Sequence, residues 1–102
     1  MSADLEKARR EQARWLILQT LDSARPIGTN EGIVLAALRE LIHDLTQHEL
    51  RRELDYLKDR NLVQLSQLET PAWFAELTRY GVDVVEYTLD VHPGIARPPK
   101  YW

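Results

Sequence analysis

Thr46-Gln47-His48-Glu49-Leu50-Arg51-Arg52-Glu53-Leu54-Asp55-Tyr56-Leu57 is followed by Asn61-Leu62-Val63 and then by Trp73-Phe74-Ala75-Glu76-Leu77-Thr78-Arg79-Tyr80-Gly81. Thr46 and Glu49 match a capping box, in which hydroxyl and carboxylate each accept a backbone N–H left unpaired at a helix start. Leu50, Leu54 and Leu57 recur on a single stripe, so the spacing predicts an amphipathic helix over Gln47 to Arg60. It ends near Asp59 to Asn61, because asparagine tolerates the left-handed conformation that closes helices. Leu62-Val63-Gln64-Leu65 reads as a short strand, Thr70-Pro71 as turn chemistry, and Trp73 to Thr78 as a second strand with Trp73, Ala75 and Leu77 on one face. Thr78 then caps a last helix reaching about Asp90. Val82, Val85 and Leu89 are spaced for its burial, with Val84 and Tyr87 flanking them.

Upstream, Asp4 to Ala24 has a helical pattern, charged at first and then apolar at Ala13, Trp15, Leu16, Ile17, Leu18 and Leu21. Arg25-Pro26-Ile27-Gly28 interrupts it, since proline disfavours helical geometry in the residue before it. Thr29 or Asn30 can cap a second helix through Ile42, whose apolar side is Ile33, Val34, Leu38, Leu41 and Ile42. His43-Asp44-Leu45 links it to the third. The expected fold is mainly α with a small β-hairpin, in the order α-α-α-β-β-α. A single domain spans 4-92, and Pro93, Pro98 and Pro99 make 93-102 an extended Pro-rich tail. Tyr101 and Trp102 end that tail as an aromatic pair expected to fold back on the domain or to meet a neighbouring subunit.

The chain of 102 residues suits one domain with one modest core, and 44% apolar against 28% charged residues is the balance of a compact fold. The absence of cysteine excludes disulfides, thiolate metal sites and a cysteine nucleophile. The apolar run Ile33 to Leu38 is far short of the ~20 residues of a membrane span. The charged start, with Asp4, Glu6, Lys7 and Arg9, is unlike a signal peptide. A soluble cytoplasmic protein without membrane attachment is expected. The net charge of −3 argues against a surface that attracts nucleic acid everywhere. Basic character collects at the two ends of the chain, and residues 61–93 are the most acidic stretch.

The pieces running from Thr46 to Leu57, Asn61 to Val63 and Trp73 to Gly81 resemble the winged helix-turn-helix superfamily, in particular its small ArsR-like and MarR-like members. The resemblance covers roughly residues 8 to 90. More narrowly, Gly94-Ile95-Ala96-Arg97-Pro98-Pro99-Lys100 after Glu86-Tyr87-Thr88 is similar to a family of small proteins of Mu-like bacteriophages and prophages that carries no assigned activity. The wider resemblance implies a DNA-binding transcription regulator, double-stranded DNA as partner, and a homodimer. The third helix would enter the major groove, with Gln47, His48, Arg51, Arg52 and Lys58 as the contact residues. Arginine pairs bidentately with guanine and glutamine with adenine.

Two features depart from that pattern. Asp55 and Asp59 share the outer face, and Arg51 and Asp55 stand four apart, where they are expected to neutralise one another. The wing, Ser66 to Ala72, holds no Lys or Arg to meet phosphate. These departures support the alternative of a protein-interaction or adaptor module that uses the fold without DNA. Other chemistry is not signalled. His43, Asp44 and His48 are separated by the break between link and helix, so no metal site is expected. No nucleophile elbow, P-loop or dinucleotide fingerprint occurs, and neither an enzyme nor a cofactor is expected. Arg9, Arg10 and Arg14, interleaved with Glu6 and Glu11, read as a solvated mixed-charge face in preference to a phosphate-binding arm.

Overall fold

A computed structural model of the chain describes residues 3–100. Helix α1 spans Ala3–Ser23, and its second half buries Ala13, Trp15, Ile17, Leu18 and Leu21. The chain turns through a cis Arg25–Pro26 bond and Gly28, whose φ of +91° no side-chain-bearing residue adopts easily. Strand β1, Thr29–Asn30, leads directly into α2, Glu31–Arg39, where the Asn30 side chain accepts the Ile33 N–H as cap. Helix α3 is Gln47–Asp59, with both halves of the Thr46–Glu49 capping box formed. It closes through Asn61 at φ 63°. Strands β2 (Val63–Ser66) and β3 (Phe74–Leu77) follow, and then α4, Arg79–Val85, capped by Thr78.

The architecture is a winged helix, mainly α with a small antiparallel sheet in the order β1-β3-β2. Val63 pairs with Leu77 and Ser66 with Phe74 across the wing, while Thr29 and Asn30 pair with Ala75 and Phe74 on its other edge. Helix α1 packs against α2, α3, α4 and β3. Leu50, Leu54, Leu57 and Leu62 have no exposed surface, and Val34, Leu38 and Val84 close the core around them. Gly81 lets α4 approach β2, since a Cβ there would overlap the Leu62 carbonyl.

The structure corrects several boundaries. The sheet has three strands where a hairpin was expected, because β1 is only two residues long and carries no alternation to read. Helix α2 stops at Arg39, three residues short of Ile42. Ile33 and Leu41, expected inside, are 56% and 63% exposed. Trp73 precedes β3, and its carbonyl accepts the Glu31 N–H at 2.8 Å. Helix α4 ends at Val85 and not near Asp90: the N–H groups of Thr88 and Leu89 turn back to the Asp83 carbonyl, and Tyr87 takes φ 63°. Burial passes to Val84, and Leu89 faces solvent.

Residues 93–100 have no regular secondary structure, yet they lie against the domain. Ile95 is buried at 4% exposure. Ala96 donates to the Glu11 carbonyl at 3.1 Å, Arg14 donates to that of Gly94 at 2.9 Å, and Arg97 donates to those of Val84 and Leu89 at 2.9 and 2.8 Å. Gly94 sits so near the Tyr56 hydroxyl that a Cβ would overlap it. The expected docking of Tyr101 and Trp102 lies outside the described residues. Replacing Ile95 by alanine leaves a buried gap, and a loss of about 2–4 kcal/mol is expected in urea unfolding. An unchanged midpoint would show that the segment does not pack in solution.

Candidate nucleic-acid interface

With Leu50, Leu54 and Leu57 inward, α3 turns His48, Arg52, Asp55 and Asp59 outward, and all four are exposed. His48 and Arg52 occupy the N-terminal half, where the aligned peptide dipoles add positive potential. Asp55 and Asp59 occupy the other half. Charge therefore runs from positive to negative along the outer line of the helix.

The margin facing the wing is organised by Glu31, the first residue of α2, whose side chain is 2% exposed. Its Oε2 accepts Arg51 Nε at 2.8 Å, and its Oε1 accepts Arg51 Nη2, Gln47 Nε2 at 3.2 Å and the Trp73 backbone N–H at 3.0 Å. Arg51 Nη2 also donates to the Pro71 carbonyl at 3.0 Å, and the guanidinium lies 4.6 Å from the Trp73 ring centroid. One carboxylate thus ties together the start of α2, the start of α3 and the base of the wing. The expected Arg51–Asp55 pair is not formed. A buried, preorganised acceptor that takes the guanidinium fork with two oxygens outcompetes an exposed i,i+4 carboxylate worth only a few tenths of a kcal/mol. Gln47 is committed to the same carboxylate, and Lys58 is exposed.

The margin facing α1 is held by other pairs. Arg14 Nε meets Glu53 at 2.8 Å with both side chains largely buried. Arg9 bridges Asp44 at 2.8 Å and Glu49 at 3.3 Å. Arg14 and Arg60 each lie 3.4 Å from the Tyr56 ring centroid, which places them on opposite faces of the ring. Of the α1 arginines, Arg10 alone lines both of the clefts that Arg52 shares with α1. Arg52 is 57% exposed, and its nearest acid is Glu53 at 3.6 Å.

The wing turn is tight, with Thr70 Oγ1 2.7 and 2.8 Å from the carbonyl oxygens of Gln67 and Ala72, which share its single proton. A cleft of 350 Å³ opens between it and α3, lined by His48, Arg51, Arg52, Asp55 and Trp73. Among the described residues, no three His, Asp or Glu side chains gather as a metal-ligating group. Neither is any helix long and apolar enough to cross a membrane.

Sequence reasoning missed Glu31, placed Trp73 only on the face of a strand, and set Arg10 aside within a solvated mixed-charge face. An acid in the first turn of a helix reads locally as a dipole partner. Nothing in the spacing signals that Glu31 meets a side chain twenty residues away.

No protein-family model matches the chain, and no curated protein does. Among solved structures, RosR of H. salinarum is similar, with a TM-score of 0.65 and 23% identity over 74% of this chain and 67% of that one. This likeness supports the winged-helix fold described above.

The Arg51 guanidinium holds the Glu31 carboxyl below its ordinary range against the opposing effect of burial, with Trp73 N–H and Gln47 assisting. A carboxyl lowered on folding contributes stability above its ordinary pKa of 4.5 and loses it as pH falls through the folded value. The urea midpoint is therefore expected to drop on acidification below about pH 5, and Glu31→Gln should flatten that acid limb. Near neutral pH the same substitution is expected to cost about 1–3 kcal/mol, by weakening a charge-assisted set of hydrogen bonds. Identical acid limbs in the two proteins would remove Glu31 from this role.

Proposed function

We propose that the chain is a double-stranded-DNA-binding transcription regulator whose helix α3 enters the major groove by its N-terminal half. The observation that carries this reading is the outer line of α3, where His48 and Arg52 stand exposed at the positive end of the helix in a winged-helix frame. Arg52 reads base edges, His48 and Lys58 meet phosphate, and Arg10 extends the contact from α1. Gln47 and Arg51 serve the interface from behind, by fixing the wing against α3 through Glu31. A homodimer placing two such helices on successive major-groove faces belongs to the same proposal, as does a phage or prophage setting, which the resemblance of residues 86–100 supports.

The contact is narrow, because the wing lacks cations and residues 61–93 are acidic. Few counterions are then released on binding. Log-log plots of affinity against salt should have a slope of only about −2 to −4 per protomer. Arg52→Ala is expected to weaken specific binding by about 1–3 kcal/mol in fluorescence anisotropy, and Lys58→Ala to reduce the salt slope by about 1. Absence of binding to a genomic fragment library at low salt would overturn the proposal.

A second reading is favoured by one observation: Ile33, Ala36 and Ala37 on α2 and Leu41 in the turn after it are all exposed. Such a face suits a protein partner, and the fold then acts as an adaptor. Partner capture that survives Arg52→Ala and fails in Ile33→Asp would favour it.

A further inference from the structure

Asp55 sits where an acid opposes DNA phosphate, one turn after an arginine that local geometry would use to neutralise it. The fold removes that arginine. Arg51 is taken by Glu31 and the Pro71 carbonyl. Asp55 makes no hydrogen bond or ion pair among the described residues, and it lines both the cleft between α3 and the wing and the one on the α1 side. Arg52 lines the same cleft and is 57% exposed. Its Nε stands 3.6 Å from Glu53 Oε2, a long ion pair beside the 2.8 Å bond of Arg14 to Glu53 Oε1, and its guanidinium makes no hydrogen bond among the described residues. An unpaired acceptor and a forked donor held only by that long ion pair thus stand three residues apart on the exposed line of the helix.

We propose that Asp55 and Arg52 form a base-reading pair, Arg52 donating to a guanine and Asp55 accepting from the cytosine of an adjacent base pair. The proposal rests on the DNA-binding reading above and assigns its sequence preference. A carboxylate has acceptors only, so it requires a donor at the floor of the groove. In the major groove, cytosine offers its N4 amino group, whereas adenine places the acceptor N7 beside its N6 donor. Cytosine is the base that a carboxylate can approach without facing another acceptor. Arginine matches the O6 and N7 acceptors of guanine with two parallel donors. The axial offset of residues 52 and 55 is about 4.5 Å at 1.5 Å per residue, close to the ~3.4 Å step between stacked base pairs. The acid that argues against DNA when charges are counted becomes the group that chooses among DNA sequences.

The test is selection from a random duplex library, followed by anisotropy on the selected sites, using the full chain and its Asp55→Ala, Asp55→Asn and Arg52→Ala variants. Both residues are exposed, and circular dichroism melting checks that each variant folds. The wild-type chain is expected to select a site with adjacent G·C pairs. Asp55→Ala should lose discrimination for cytosine at one position by about 5- to 100-fold while keeping the rest of the site. Asp55→Asn should move that position from cytosine to adenine, since asparagine pairs with adenine N6 and N7. If Asp55→Ala instead tightens binding to every duplex alike, with preferences unchanged, Asp55 only repels phosphate; the pair is then overturned while DNA binding stands. If the wild-type chain selects no duplex at low salt, the DNA-binding reading fails and takes the pair with it.

Discussion

The buried carboxylate of Glu31 is the constraint on which the candidate interface depends. An ionised group withdrawn from water is tolerated only when its oxygens are matched by donors. Here the donors come from two other elements: Arg51 and Gln47 from α3, and the Trp73 backbone from the wing. Removing any one partner leaves a buried charge under-satisfied, which is costlier than the net gain of forming the contact. The relative placement of α2, α3 and the wing is consequently held by one set of hydrogen bonds with little freedom of register. The Arg51 guanidinium over Trp73 and its bond to the Pro71 carbonyl extend that hold into the turn.

A similar logic operates on the other side of α3. Arg14 with Glu53, and Arg9 with Asp44 and Glu49, fasten α1 along the helix. Arg14 reaches further to the Gly94 carbonyl, so the same side chain secures residues 93–98. Both margins of α3 thereby spend their charges inside the molecule, and His48, Arg52, Asp55 and Asp59 are left exposed. An acidic chain thus exposes a short line of mixed charge, and this explains why net composition and this face point in different directions. Net charge counts every pair that the fold has already neutralised, whereas a ligand meets only the remainder.

Much of the fold was legible before the structure. Thr46 with Glu49, the leucine stripe of α3, Asn61 at its end and Thr78 before α4 all form as their local chemistry requires. Each signal involves residues within a few positions of one another, so the chain carries it wherever the segment lies. The failures occur where a distant group intervened. Leu89 keeps helical spacing, but the turn at Tyr87 ends α4 first. The two-residue β1 exists because β3 is there to pair with it. The prolines of the last segment forbid a helix, and they say nothing about Ile95 entering the core. Ile33 and Leu41 belong to the apolar pattern of α2, yet α1 covers only part of that face.

At the candidate site the division is sharper. The sequence by itself determined which face of α3 turns outward, because Leu50, Leu54 and Leu57 admit one amphipathic orientation, and it placed His48, Arg52 and Asp55 on that face. Tertiary structure alone decided which charges remain available there. Arg51 had a plausible partner four residues on in Asp55 and a better one twenty residues back in Glu31, and the choice went to the latter because burial strengthens a charge-assisted bond that water would screen. Local periodicity follows from backbone geometry and is written in the order of the residues. The competition between acids for one arginine depends on distance and solvent exposure in the folded chain, and those quantities exist only once the helices and the wing have packed.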